Sequence, residues 1–222
     1  MKKLFAACLS LCLAAALFAV PAFAAGDVAQ VEGGQAYGTL QEAIDEAQTS
    51  GKVTLLKDTQ EDITIPEGKN IELVLNANLT NQSAHTIVVK NGATLTFSGS
   101  GTVDNVTHQR AAIHNEVGGT VTLNGGTYTR SKETGSDSGN SGGNSFYNIR
   151  NYGTMTINEG VKVVQNGHFS SLVENGFYNG AKDNPTGATA TMTINGGTFS
   201  GGINTIKNDD YGELTIHDGT FS

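Results

Sequence analysis

One recurring stretch decides the fold of this chain: Val121-Thr122-Leu123-Asn124-Gly125-Gly126-Thr127-Tyr128, which returns as Met192-Thr193-Ile194-Asn195-Gly196-Gly197-Thr198-Phe199. Looser copies begin at Leu95, Met155 and Leu214. In each copy two apolar residues flank a threonine, which is the alternation of a strand with one buried face. Because the same phrase returns in the same pattern, we interpret the chain as a repeat protein.

A second phrase, an apolar residue followed by a polar residue and Asn, accompanies the first. Its copies are Val89-Lys90-Asn91, Ile113-His114-Asn115, Ile149-Arg150-Asn151, Val173-Glu174-Asn175 and Ile206-Lys207-Asn208. Val89 and Ile113 are 24 residues apart, and so are Ile149 and Val173. A period in the twenties without helical patterns predicts coils of three short strands that stack in parallel. The longer intervals contain Gly- and Asn-rich loops at 130–145 and 176–188.

Stacking of like coils predicts columns of like side chains on the outer faces of the strands. Threonines form two such columns, which consist of Thr96, Thr122, Thr156, Thr193 and Thr215 and of Thr94, Thr120, Thr154 and Thr191, until Glu213 breaks the second. Asparagine amides are expected to pair between coils at Asn91, Asn115, Asn151, Asn175 and Asn208. A mixed polar column is the candidate ligand-binding surface for a polysaccharide and consists of Lys90, His114, Arg150, Glu174 and Lys207.

A single helix is expected, at about 39–50. Thr39 and Glu42 have the spacing of a capping box, apolar residues follow at helical spacing, and Gly51 is placed as the C-cap glycine. We assign residues 25–84 to this N-terminal cap and the first coils, and residues 85–222 to the repeats. The repeats end without a visible capping element, which predicts docking of a partner or continuation of the coil there.

The N-terminus has the pattern of a signal peptide at 1–24. Lys2 and Lys3 precede an apolar run that ends in Ala22-Phe23-Ala24, and an uncleaved membrane anchor is the alternative. Cleavage would remove both cysteines, Cys8 and Cys12, and would make the net charge of −8 two units more negative. We therefore expect a secreted or cell-surface protein without disulfides, and its acidity argues against nucleic acid as a partner. No membrane insertion is expected after cleavage.

Together these phrases resemble the right-handed parallel β-helix of the pectate-lyase-like superfamily, over residues 28–222. The similarity is greatest to the Gly/Thr-rich repeats of secreted bacterial surface proteins, in which a helix similar to Tyr37–Ala47 covers the N-terminal end of the coil. The resemblance implies an all-β solenoid with an N-terminal capping α-helix. It leaves function open, because the superfamily contains lyases, hydrolases, adhesins and scaffolds.

Catalytic patterns are weak in this sequence. A lyase would need several carboxylates around Ca²⁺, yet Asp104, Glu116 and Glu174 are isolated. A hydrolase would need two placed carboxylates, and the adjacent pair Asp209-Asp210 lacks a motif around it. His108 with Arg110, and His217, are basic groups without a placed acid. No catalytic residue, metal or cofactor is therefore predicted.

The leading hypothesis is a binding or adhesion module at a bacterial cell surface that contacts glycan. Five aromatic residues near the loop bases either stack on sugar rings or fasten the loops to the coil, and these are Phe146, Tyr147, Tyr152, Phe177 and Tyr178. The alternatives are a polysaccharide lyase or glycoside hydrolase, a scaffold without ligand and, through the threonine columns, an ice-binding protein.

Overall fold

The computed structural model describes residues 26–135, 146–168 and 170–222. The predicted signal peptide and most of the loop predicted at 130–145 lie outside these residues. The helices are α1 (Leu40–Glu46) and a short 3₁₀ helix at Gly180–Lys182. The strands in chain order are β1 (Ala29–Val31), β2 (Ala36–Tyr37), β3 (Ser50–Leu55), β4 (Thr59–Gln60), β5 (Ile63–Ile65), β6 (Asn70–Leu75), β7 (Leu79–Thr80), β8 (Ile87–Val89), β9 (Thr94–Ser98), β10 (Thr102–Asp104), β11 (Ile113–Asn115), β12 (Thr120–Leu123), β13 (Thr127–Thr129), β14 (Ile149–Asn151), β15 (Thr154–Ile157), β16 (Lys162–Val164), β17 (Val173–Asn175), β18 (Ala190–Ile194), β19 (Thr198–Ser200), β20 (Ile206–Asn208), β21 (Gly212–Ile216) and β22 (Thr220–Phe221).

From β3 onward the chain visits three parallel sheets in a fixed cycle. The first sheet has the order β2-β1-β3-β6-β9-β12-β15-β18-β21, the second β22-β19-β16-β13-β10-β7-β4 and the third β20-β17-β14-β11-β8-β5. Each coil therefore contributes one short strand to each sheet, as the repeat length predicts. The protein is mostly β with long parallel sheets, which is consistent with a β-helix-like solenoid. Among the described strands, β1 and β2 depart from this pattern, since β1 pairs antiparallel with both β2 and β3.

The register of the first sheet places like residues over one another. Thr122 pairs with Thr96 on one side and with Thr156 on the other, and the column continues to Thr193 and Thr215. The flanking apolar residues point inward, and Val121 and Leu123 are fully buried. The predicted threonine columns are thus confirmed: the column of Thr96 begins next to Glu72, and the column of Thr191 ends at Glu213.

Asparagines form two ladders between coils. In the buried ladder the side-chain amide of Asn115 donates to Asn151 Oδ1 (2.7 Å), Asn151 donates to Asn175 (2.8 Å), and Asn175 donates to Asn208 (2.7 Å). An exposed ladder, which the sequence phrase contains but which we did not predict, joins Asn195 to Asn158 and Asn158 to Asn124. Amide pairing between coils is therefore confirmed for four of the five predicted asparagines.

The Gly-Gly pair of the repeated phrase is required by close packing at the turn that follows the first sheet. Gly126 has φ = 85° and Gly197 has φ = 105°, a region that disfavours residues with a side chain. A Cβ atom at Gly126 would lie 2.6 Å from the Phe97 ring. The turn thus admits only glycine without movement of its neighbours.

Helix α1 begins as predicted and ends earlier than predicted. Thr39 Oγ1 accepts a hydrogen bond from Glu42 N (3.1 Å), and the buried side chains Leu40, Ala43 and Ile44 face the first coil. The helix stops at Glu46, and Gly51 lies in β3, so its prediction as a C-cap was wrong: the chain must already be extended at Ser50 to pair with β6. Within the described ranges no helix is long and apolar enough to cross a membrane.

Candidate functional site

The outer face of the third sheet brings together four of the five residues of the predicted polar column. His114 pairs in register with Arg150, Arg150 with Glu174, and Glu174 with Lys207. The fifth residue was wrongly placed, because the partner of His114 on the other side is Val88 and not Lys90. The strand of that coil is Ile87-Val88-Val89, so Lys90 falls in the turn that follows and pairs with Glu116 instead (2.5 Å). Asn91 is displaced from the ladder for the same reason.

Two ion pairs dominate the column. Arg150 Nε donates to Glu174 Oε2 at 2.5 Å, and Lys207 Nζ lies 3.1 Å from Asp209 Oδ2. Glu174 points away from the coil but exposes none of its side chain, whereas Arg150 and Lys207 retain 19% and 29% exposure. The column is therefore not a simple solvent-facing row: its anion is covered, and its cations reach the surface.

The surroundings of Glu174 disfavour its charge. Burial raises the pKa of this carboxyl from 4.5 to about 7, although the Arg150 guanidinium acts to lower it, and the nearby Asp209 adds to the rise. Glu174 Oε1 has no hydrogen-bond partner in the described part of the chain. This agrees with a carboxyl that burial has removed from water, which disfavours its ionised form. The pKa of the Tyr147 hydroxyl is raised by burial and by the charge of Glu174.

This raised pKa predicts that Glu174 weakens the fold as the pH rises. Below the ordinary pKa of 4.5 the carboxyl is neutral in both the folded and the unfolded chain, and its burial is then favourable. This stability is lost as the pH rises through about 7, where the carboxyl ionises in the folded protein. Urea unfolding between pH 5 and pH 8 should show wild type losing about 3 kcal/mol relative to Glu174→Gln, since one pKa unit corresponds to about 1.4 kcal/mol. Parallel pH curves for the two proteins would contradict this prediction.

Aromatic rings enclose the two cations. The Arg150 guanidinium carbon lies 5.2 Å from the centre of the Phe146 ring and 4.6 Å from that of Tyr152. Lys207 Nζ lies 4.2 Å from the centre of the Tyr178 ring. These distances fall within the range of cation–π attraction. The cations are therefore held in place by rings as well as by carboxylates.

The five aromatic residues of the loop bases divide into two roles. Phe177 is fully buried and stacks on Tyr152 with ring centres 4.4 Å apart, so this pair fastens the segment at 176–188 to the coil. Phe146, Tyr147 and Tyr178 line an open cleft, and Tyr178 is 61% exposed. The fastening role is thus confirmed for Tyr152 and Phe177, whereas stacking on sugar rings stays a prediction for Phe146, Tyr147 and Tyr178.

The cleft has a volume of about 600 Å³ and lies between residues 146–147 and the segment around the 3₁₀ helix. Besides the aromatic rings, Arg150 and Lys207 line it, together with the polar side chains Asn179, Asp183 and Asn204. Asn179 donates to Asp183 Oδ2 (3.0 Å), so the acidic group of the wall is already hydrogen-bonded. The site therefore offers aromatic faces, two cations and several amide or carboxylate groups in one concave surface.

Next to the cleft lies a pair of stacked histidines. The rings of His85 and His114 have centres 4.7 Å apart and an angle of 20°. Burial lowers the pKa of His85 to about 4 and that of His114 to about 3, and nearby positive charges add to both shifts. Both rings are neutral near pH 7. We did not predict a role for His85, because it precedes β8 and has no equivalent in the repeated phrases.

The other candidate residues are placed apart. Asp209 forms an ion pair with Lys207. The backbone N–H of Phe177 donates to the backbone carbonyl of Asp210 (2.9 Å). Asp104 accepts hydrogen bonds from Ser131. Among the residues that the structure describes, no group of three His, Cys, Asp or Glu side chains is arranged to hold a metal ion.

A second groove of about 690 Å³ lies where the first sheet begins. There Lys52 Nζ lies 3.3 Å from a carboxylate oxygen of Glu72 and 3.8 Å from one of Glu32, so these charged groups of the groove form ion pairs with one another. Among the residues that the structure describes, Tyr37 is its single aromatic lining residue. The cleft on the third sheet is therefore the stronger candidate. No family model, no curated protein and no solved structure was found to match the chain.

Proposed function

We propose that the protein is an exported bacterial right-handed parallel β-helix of the pectate-lyase-like type, which binds glycan at the cell surface through the cleft on its third sheet. The observation that carries this proposal is the exposed Tyr178 ring in one cleft with Arg150 and Lys207. Carbohydrates present both an apolar face, which packs on aromatic rings, and hydroxyl groups, which hydrogen-bond to charged and amide side chains.

The shape of the cleft supports a polymeric ligand. It is lined by Arg150 of β14 and by Lys207 of β20, which lie on either side of β17 in the third sheet, so that side chains from different coils face one cavity. Adjacent strands of a sheet are about 4.8 Å apart. A chain of sugars lying along the solenoid would therefore meet side chains from more than one coil.

Binding to a glycan array, followed by titration of the retained glycan, tests this proposal. Tyr178→Ala should weaken the affinity about fivefold or more, since stacking on an aromatic ring contributes about 1 kcal/mol or more. Ile216→Ala is the control, because Ile216 is 47% exposed and lies in the first sheet. Equal affinity of the two variants would contradict the placement of the site. Release of unsaturated sugars or of new reducing ends from the retained glycan would favour the lyase or hydrolase alternative.

A further inference from the structure

We infer that the stacked pair of His85 and His114 is an acid-sensitive latch, which holds the turn at 107–110 in place at the wall of the cleft and releases it when His85 is protonated. The inference goes beyond the proposed function, because it concerns how the cleft is held and does not depend on what the cleft binds. Its basis is the position of the two imidazole rings among the turn, the aromatic wall of the cleft and a group of positive charges.

The turn reaches the cleft through Gln109. This residue lines the cleft and has φ = 55°, a left-handed conformation that costs free energy for a residue with a side chain. Directly after the turn, the backbone N–H of Ala111 donates to His85 Nδ1 (2.8 Å). The ring centre of His85 lies 6.1 Å from that of Phe146, which also lines the cleft. His85 therefore connects the turn to the aromatic wall.

The hydrogen bond from Ala111 requires that His85 is neutral. The Nδ1 atom accepts a hydrogen bond only while it carries no proton, whereas an imidazolium carries a proton on both ring nitrogens. Protonation of His85 would therefore place two donors, Nδ1–H and the N–H of Ala111, against each other. The turn would lose the hydrogen bond that fixes its end to the ring.

His114 makes a charge on the pair still less favourable. Its ring stacks on His85 with 4.7 Å between the centres, and the Tyr152 ring packs edge-on against it at 5.4 Å. His114 Nδ1 is buried and has no hydrogen-bond partner among the described residues, so an imidazolium there would leave an N–H unpaired away from water. Two charged rings at this distance would also repel each other.

The charged groups around the pair add to this preference for the neutral form. Among the described residues, the charges that lower the pKa of one ring or the other belong to four cations, which are Lys90, Arg110, Arg130 and Arg150. The first, third and fourth of these also form ion pairs, with Glu116, Glu133 and Glu174 in that order. Arg110 belongs to the turn itself and donates to the carbonyl of Gln109 (2.9 Å). A charge on His85 would therefore repel the turn as well as break its hydrogen bond.

Acid favours release of the turn. Burial and the cations lower the pKa of His85 to about 4 in the closed form, and in an open form that water reaches the ring would have its ordinary pKa of 6.5. The advantage of the closed form is complete above 6.5 and is lost as the pH falls toward 4. Between pH 7.5 and pH 4.5 the ratio of open to closed molecules should rise by about seventyfold.

Hydrogen exchange and histidine titration, both followed by NMR, test the inference. After correction for the intrinsic pH dependence of exchange, the protection of the Ala111 amide should fall at least tenfold between pH 7.5 and pH 4.5. The Thr120 amide donates to Ala93 O (2.9 Å) in the same coil and should keep its protection, so it serves as the internal control. The ring resonances of His85 should titrate below pH 5. Titration of His85 near pH 6.5, or equal changes in the protection of the two amides, would overturn the inference.

His85→Asn separates protonation from packing, because the asparagine oxygen accepts a hydrogen bond from Ala111 but takes up no proton in this pH range. The protection of the Ala111 amide should then be the same at pH 7.5 and pH 4.5. His108→Asn is the matched control, since His108 is exposed in the same turn, and the tenfold fall should persist in it. A fall in His85→Asn as large as that in wild type would overturn the inference. If this variant does not fold, the two amides and the His85 titration of wild type still decide the question.

Discussion

Replacing Asn151 by alanine should lower the free energy of unfolding by about 4 kcal/mol, because several buried hydrogen-bonding groups lose their partner at once. Asn151 is fully buried, its Nδ2 donates to Gly153 O, Asn175 Oδ1 and Thr191 O, and its Oδ1 accepts from Asn115. Alanine leaves these groups in a place that water reaches poorly. Urea unfolding of the purified protein measures the loss.

Asn158→Ala is the matched control for this prediction. Asn158 is the middle member of the exposed ladder, it belongs to the same coil, and its amide pairs with amides of both neighbouring coils, donating to Asn124 and accepting from Asn195. Because water replaces those hydrogen bonds, the loss should remain below about 1 kcal/mol. Equal losses for the two variants would show that burial does not set the contribution of the ladder.

The second large effect is expected at the ion pair beneath the cleft. Arg150→Met should destabilise the fold by about 3 kcal/mol at pH 8, because it leaves the carboxylate of Glu174 buried without its cation. At pH 5 the loss should be smaller, since the carboxyl, whose pKa is already raised to about 7, then folds in its neutral form.

A double substitution separates charge from packing at this position. Arg150→Met combined with Glu174→Gln should recover most of the stability that Arg150→Met loses at pH 8. If the double variant is no more stable than Arg150→Met, the loss comes from the ring contacts of Arg150 with Phe146 and Tyr152 rather than from the unpaired carboxylate.

The parts of the fold that could be predicted are those in which equivalent positions of successive coils carry the same type of residue. Thr122 and Thr156 occupy the same position of the same phrase, and a shift of one residue would expose Val121 and Leu123, so the register follows from the sequence. The start of α1 was equally predictable, because Thr39 acts locally on the backbone of Glu42.

The parts that could not be predicted depend on how long each turn is. Lys90 occupies the same position in its phrase as His114, but the strand of its coil ends at Val89, so Val88 and not Lys90 pairs with His114. No local feature of the sequence distinguishes a strand that ends at Val89 from one that includes Lys90. Glu174 is buried beside Arg150 and near Tyr147, which lies in an irregular segment whose path does not follow the repeat. For the same reason the cleft could be anticipated as an aromatic-rich region but not as one concave site.

Disulfide formation between cysteines placed on the first sheet tests most directly whether successive coils lie over one another. In a chain with Cys8 and Cys12 replaced by serine, we predict that Thr122→Cys with Thr156→Cys forms a disulfide, since facing residues of adjacent strands are about 4.8 Å apart. Thr122→Cys with Thr193→Cys should stay reduced, because two coils separate those positions by about 9 to 10 Å. A disulfide in the second pair and none in the first would contradict the stacked-coil architecture and the cleft built on it.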